Sequence, residues 1–261
     1  MKYILFLSIF FNATIAFSGD TLKLRKSIPI KSNYFTTDPI GNIYVVKLNN
    51  MLIKYNYLGD SLNQFNERRN GKMTQIDATN PLRILVYYSD YSQIILLDNM
   101  LSLKASFKLN NSNLLNALCV SNSSDGGIWV YGQNANLEKI NEKLESKFSL
   151  SMMNMLDPIP SPNSITEQDR NLFVVDSIHG IYRFDQLGLL KNSYPFQTKE
   201  IQFFSPYLVY YKKPYLISYN TESFIEKKIL LPQPEDIIKV RMEKNYIYIL
   251  RSQQLDIYYF E

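Results

Sequence analysis

Histidine, cysteine and tryptophan each occur once in the 261-residue chain, as His179, Cys119 and Trp129. A single cysteine excludes an internal disulfide framework and any cysteine-clustered zinc or iron–sulfur site. A single histidine excludes every catalytic or metal design that needs two. Glycine is scarce, with 9 residues, and the chain has neither a Gly-rich phosphate loop nor a Gly-x-Ser-x-Gly elbow. Charge of one sign is lacking too. Against 28 basic residues stand 24 acidic ones, a net +4, and no basic run exceeds a pair. Such a balance lacks the footprint of a nucleic-acid binder.

What is present is strand-forming material. The chain is 46% hydrophobic, enough for a substantial core, and carries 20 Tyr and 15 Phe, residues that favour strands. The first segment reads as an address. Lys2 precedes the apolar run Ile4–Phe11, and small residues follow at Ala13, Thr14, Ala16 and Ser18, the three-part form of a secretory signal over residues 1–18. Its apolar character lasts about 14 residues, short of the roughly 20 that span a bilayer, so no membrane span is expected after cleavage. The expected location is therefore the periplasm, the outer membrane or the cell surface.

The body repeats. Strong β runs start at Ile43, Ile84, Ile128, Leu172, Leu208 and Ile247, separated by 41, 44, 44, 36 and 39 residues. A period of about 40 residues with several strands per unit is the signature of propeller blades. In the first unit the strands read as Tyr34–Thr37, Ile43–Lys47, Leu52–Tyr57 and Ser61–Asn66. The fourth reads as Ser164–Glu167, Leu172–Asp176, Ile181–Asp185 and Leu189–Tyr194. The sixth has only Ile238–Met242, Ile247–Arg251 and Leu255–Phe260. Its missing outer strand is available at Leu22–Ile30. The spacing thus predicts an all-β, six-bladed β-propeller over residues 19–261, closed by its N-terminal strand.

Two blades carry a family resemblance. Thr37-Asp-Pro-Ile-Gly-Asn-Ile-Tyr-Val-Val with Leu52-Ile-Lys-Tyr-Asn-Tyr-Leu-Gly-Asp resembles a blade of the NHL-type six-bladed propellers. Asn171-Leu-Phe-Val-Val-Asp with Gly180-Ile-Tyr-Arg-Phe-Asp-Gln-Leu-Gly resembles another. The other four match by pattern, and the chain departs from the family in its few glycines and few Asp-Gly turns. The resemblance implies a binding platform and bears on fold more than on function. Three triplets, Asp20-Thr21-Leu22, Asp60-Ser61-Leu62 and Asp176-Ser177-Ile178, resemble the O-glycosylation signal of exported Bacteroidetes proteins. They mark Thr21, Ser61 and Ser177 as candidate acceptors.

In a propeller, the inter-blade connections and the turns between second and third strands share one face. Here that face is expected to carry Lys47, Arg68, Arg69, Lys72, Asp90, Tyr91, Met152, Met153, Met155, His179, Lys212, Lys213 and Arg251. Arg68, Arg69 and Lys72, with Lys212 and Lys213, make a mildly basic rim suited to an acidic protein surface or an anionic glycan. The connection 151–163 holds three methionines and three prolines. Two readings of it stand: a plug folded over the core, or an exposed docking element. The innermost strands place Asp77 and Glu167 at the channel, with Thr36, Ser121, Phe203 and Arg241 at equivalent places. Two carboxylates on non-adjacent blades are too few for a calcium cage, and no cofactor is expected. His179 reads as a turn residue available for a pH-sensitive contact, and Cys119 as a core residue.

The expectation is a non-catalytic binding or scaffolding propeller of the cell envelope. It would contact a protein partner through Met152, Met153, Met155, Arg68, Arg69, Lys72, Lys212, Lys213, Tyr91 and His179. The alternative is an extracytoplasmic hydrolase or lyase acting on a sugar or lactone in the channel.

Overall fold

A computed structural model describes residues 21–67, 69–109 and 114–261. The expected signal segment and Arg68 lie outside the described residues. The described chain forms six four-stranded antiparallel sheets arranged as a β-propeller. Blade 1 holds β2 (Ser32–Thr37), β3 (Ile43–Lys47), β4 (Met51–Tyr55) and β5 (Ser61–Asn66), and blade 2 holds β6 (Met73–Asp77), β7 (Ile84–Tyr88), β8 (Gln93–Leu97) and β9 (Leu103–Lys108). Blade 3 comprises β10 (Cys119–Asn122), β11 (Ile128–Tyr131), β12 (Asn136–Ile140) and β13 (Ser146–Ser151). Blade 4 comprises β14 (Ser164–Gln168), β15 (Asn171–Asp176), β16 (Gly180–Phe184) and β17 (Leu190–Tyr194). In blade 5 the strands are β18 (Gln202–Phe204), β19 (Tyr207–Lys212), β20 (Tyr215–Asn220) and β21 (Glu226–Leu230).

Blade 6 takes β22 (Ile237–Glu243), β23 (Tyr246–Arg251) and β24 (Gln254–Phe260) from the end of the chain, and β1 (Leu22–Pro29) from its start. β1 pairs antiparallel with β24, from Leu22 opposite Phe260 to Pro29 opposite Gln254. The predicted closure is therefore present, and the predicted strands differ from the observed ones by a residue or two at their ends.

The strong sequence runs are the second strands, and burial explains why. Every residue of β7 and β11 is buried, because each blade is packed between two others and both faces of its second strand meet a neighbour. Outer strands such as β5 and β9 contain no buried residue. The core is accordingly divided among the seams. Tyr44 and Leu52 of blade 1 pack with Met73, Ile84 and Val86 of blade 2. Phe35 and Ile43 on the other side of blade 1 pack with Tyr248 and Leu250 of blade 6. Alternate side chains of one strand thus belong to different cores.

A second device joins the blades near the axis. The Tyr34 hydroxyl donates to the carbonyl of Ile76 (3.0 Å) and accepts from its N–H (3.2 Å), linking blades 1 and 2. Gln75 donates to Leu118 O and accepts from Val120 N–H, both at 2.8 Å, linking blades 2 and 3. Gln202 makes the same pair of bonds to Met242 O and N–H, again at 2.8 Å, linking blades 5 and 6. Between blades 3 and 4, Glu167 accepts from Ser123 Oγ (2.7 Å) and from the Trp129 indole. The N–H of Phe203 donates to Gln168 across the seam of blades 4 and 5. Arg241 donates to Thr37 Oγ1 at 2.9 Å where the ring closes. Each seam therefore has a polar side chain that satisfies groups of the next blade's inner region.

The scarcity of glycine has a structural counterpart in the turns. Asn56, Asp98, Asn141 and Asp185 each begin a turn between third and fourth strands, their side-chain oxygens accepting N–H groups two and four residues on. The fourth residue of each turn is left-handed. It is Gly59 (φ 83°) and Gly188 (φ 78°) in blades 1 and 4, but Leu101 and Leu144 (both φ 62°) in blades 2 and 3. Leu101 packs into the core between blades 1 and 2, so side-chain burial there offsets a backbone strain of about 1–2 kcal/mol.

Candidate functional site

Inner strands of all six blades line a central channel of about 700 Å³. Thr36, Asp77 and Arg241 line it as the sequence suggested. Glu167 instead borders a separate cavity of about 160 Å³ with Trp129 and Lys139. Ser121 is buried, its hydroxyl donating to Asp77 at 2.7 Å. Phe203 packs in the seam between blades 4 and 5. Both carboxylates named from sequence are occupied by neighbouring donors. Asp77 accepts from Thr79 N–H (2.8 Å), Thr79 Oγ1 (2.6 Å), Ser121 Oγ (2.7 Å) and Asn122 N–H (2.7 Å). Glu167 accepts from Ser123, from the Ser124 hydroxyl and from Trp129.

Sequence reasoning missed three charged residues of the channel wall, Lys199, Glu200 and Lys239. Lys239, Arg241 and Glu243 alternate along β22 and share one side of it, while Val240 and Met242 point to the core between blades 5 and 6. The Lys239 ammonium lies 2.6 Å from Glu200 Oε2 and 4.2 Å from the centre of the Tyr34 ring. Burial pulls that ammonium below its usual range, against the attraction of Glu200. At the far end of β22, burial raises the Glu243 carboxyl to about 7, opposed by Arg241 and by a hydrogen bond from Thr37. The alternation Lys-x-Arg-x-Glu was the available signal.

The loop face is uneven. Met152 is fully buried in the core between blades 3 and 4, whereas Met153 is 59% and Met155 38% exposed. This corrects the expectation that Met152 is available to a partner. Its N–H donates to Ala135 O, and its carbonyl accepts from Met155 and Leu156, so it anchors the loop. Ile159 and Ile178 are exposed. Their two loops are tied together, Ser161 N–H donating to Asp176 Oδ2 (2.8 Å) and Ser177 N–H to Asn163 Oδ1 (2.9 Å).

Tyr91, Arg69, Lys72 and Lys212 are exposed, and Lys213 is exposed but paired with Glu235 at 2.7 Å. Arg251, expected on this face, is buried, bonded to Asp256 (2.7 Å) and to the carbonyls of Gln233 (2.6 Å) and Pro232 (2.7 Å). Its long side chain runs inward from the strand end.

His179 presents its ring to solvent, with Nδ1 2.9 Å from the buried Asp176. Burial pushes the Asp176 carboxyl up, but hydrogen bonds from Ile178 N–H, the His179 ring and Ser161 N–H outweigh it and hold it below the usual carboxylate range. Among the described residues no nucleophile hydrogen-bonds this imidazole. Cys119 donates to Pro162 O, and burial pushes its thiol up to about 12, so it stays protonated and unreactive. Among the described residues no three His, Cys, Asp or Glu side chains gather as a metal site would require. No helix among them is long and apolar enough to cross a membrane.

No family model and no curated protein sequence matches this chain. Among solved structures it is similar to virginiamycin B lyase from Staphylococcus aureus, with a TM-score of 0.65 at 11% identity over 92% of this chain and 99% of that one. It is also similar to a streptogramin B lyase (TM-score 0.64, 12% identity, 93% and 98% covered). A third likeness is to BamB from Moraxella catarrhalis (TM-score 0.55, 8% identity, 92% and 98% covered). The likeness is one of fold. At such identities a propeller shared with a lyase carries no activity across.

Proposed function

We propose that this protein is a non-catalytic binding propeller of the cell envelope, exported by cleavage of residues 1–18 and docking a protein partner on its loop face. The observation that carries the reading is that four exposed apolar side chains, Met153, Met155, Ile159 and Ile178, lie on two loops hydrogen-bonded to each other. Apolar anchors on one face of the ring together with charged residues on the same face are the composition of a protein interface. Arg69, Lys72 and Lys212 supply that rim and favour an acidic surface, whether protein or anionic glycan. Its repeats are NHL-like, and Thr21, Ser61 and Ser177 are its candidate glycan acceptors.

Affinity purification of the tagged protein from its own cells in mild detergent tests this directly. A stoichiometric partner is expected with the wild type. It should be lost when Met153→Ser, Met155→Ser and Ile178→Ser are combined. If the wild-type protein is recovered alone, the docking reading fails.

The second reading, a hydrolase or lyase acting in the channel, draws support from the 700 Å³ cavity and from the lyase likeness. One of those lyases is catalytically inactive as a histidine-to-alanine variant. Here the one histidine, His179, is on an exposed turn. Turnover of a lactone or sugar by the purified protein, abolished by His179→Ala, would favour this reading over docking.

A further inference from the structure

The channel wall is polarised, and its charged side contains an unfilled fork. Four cationic side chains line the cavity against two acidic ones. Asp77 is already saturated by its four hydrogen bonds. Arg241 is only 8% exposed. Its Nε donates to Thr37, but its terminal nitrogens reach no acceptor within hydrogen-bond distance: the nearest carboxylate oxygens are Glu200 Oε2 at 3.7 Å and Glu243 Oε1 at 3.9 Å. The Arg241 side chain, about nine-tenths buried, therefore lines the channel with its terminal nitrogens held only by these two ion pairs, each longer than a hydrogen bond. Glu200 is shared, because its Oε2 is held more closely by Lys239 at 2.6 Å.

With the Glu243 carboxyl raised to about 7 and protonated below that pH, the set Arg241, Lys239, Glu200 and Glu243 carries one net positive charge under mildly acidic conditions. That matches a single carboxylate better than a phosphate dianion. Farther round the channel the wall changes character, with Thr74, Asn163 and Thr166 contributing neutral hydroxyls and an amide. A volume of about 700 Å³ is in the range of small-molecule sites.

We propose that the channel binds a small hydroxylated carboxylic acid of the sugar-acid class, with its carboxylate on the Arg241 fork beside Lys239 and its hydroxyls toward Thr74, Asn163 and Thr166. The site adjoins the loop-face docking surface at Asn163, whose side chain also accepts from Ser177 N–H between the two docking loops.

Isothermal titration of the purified protein with galacturonate, digalacturonate and gluconate tests the proposal, with galactose and inorganic phosphate as controls. At least one acid should bind, and at least tenfold more tightly than galactose or phosphate. Arg241→Gln should weaken that binding tenfold or more. Arg241 also joins blade 6 to blade 1, so Lys239→Met, which leaves that hydrogen bond in place, provides a second test. It should weaken binding at least fivefold while circular dichroism shows the variant still folded at the assay temperature. Absence of binding by all three acids, equal binding of acid and galactose, tighter binding of phosphate, or unchanged affinity in the Lys239→Met protein would each overturn the assignment.

Discussion

The two faces of the ring are built by different rules. On the face of the turns between third and fourth strands, one design recurs: an Asn or Asp side chain caps two N–H groups and a left-handed residue closes the turn. The exposed apolar residues of its turns are spread over four blades, Ile40 and Tyr57 on blade 1, Leu82 and Met100 on blade 2, Leu187 and Leu189 on blade 4, and Phe224 and Ile225 on blade 5. On the loop face the connections differ in length and composition, and four exposed apolar residues lie on two loops tied by hydrogen bonds. Apolar residues in separate turns are ordinary for a protein surface, whereas a set on loops held to each other is a candidate interface. The regular face holds the shape and the irregular face is the one free to specialise.

Substitutions can break this comparison, and the largest expected effect comes from the buried anchor of the loop face. Met152→Ala should destabilise the fold by about 3 kcal/mol through the cavity it leaves, measured by urea denaturation. Partner recovery should fall with it, because the loop is tethered there. Next comes Glu243, near the turn between β22 and β23. Its folded pKa of about 7 stands above the ordinary 4.5, so the folded protein holds a proton that the unfolded chain releases. The contribution of this group is fully present below about pH 4.5 and is lost as pH rises through 7. Glu243→Gln should therefore raise stability at pH 8 by up to about 3 kcal/mol, with little change at pH 4. A pH series of denaturation curves reads both.

A smaller effect is expected at the turn cap Asn141, which accepts from Lys143 and Glu145 N–H at 3.0 Å. Asn141→Ala should cost about 1 kcal/mol and leave partner recovery unchanged. Smallest is the pair Met153→Ser with Met155→Ser, which should shift stability by no more than about 0.5 kcal/mol while reducing partner recovery at least tenfold.

The fold was legible because second strands are buried on both faces, which forces runs such as Ile84-Leu-Val-Tyr-Tyr and exposes the period. Closure by β1 was legible because a three-stranded sixth unit needs a fourth strand. The polar seam joints were not. Gln75 and Gln202 look like ordinary surface glutamines until the neighbouring blade supplies a backbone N–H and C=O at matching height. Left-handed turns at Leu101 and Leu144 were hidden for a related reason, since the sequence shows leucine where the conformation favours glycine.

At the candidate site, Asp77 and Arg241 were placed at the channel from strand register. Neither the donors that saturate Asp77 nor the Glu200–Lys239 pair could be read from one strand at a time. Met152 and Arg251 were misjudged because loop position does not fix side-chain direction, and both turn inward to satisfy the core.

The claim that the irregular face is the docking face is tested most directly by site-specific photo-crosslinking in the native cell. A photoreactive amino acid in place of Met155 is compared with one in place of Leu187, which is 85% exposed on the opposite face. A discrete crosslinked partner from position 155 and none from position 187 is the predicted result. The same partner from position 187 alone, or no adduct from position 155, would contradict the account.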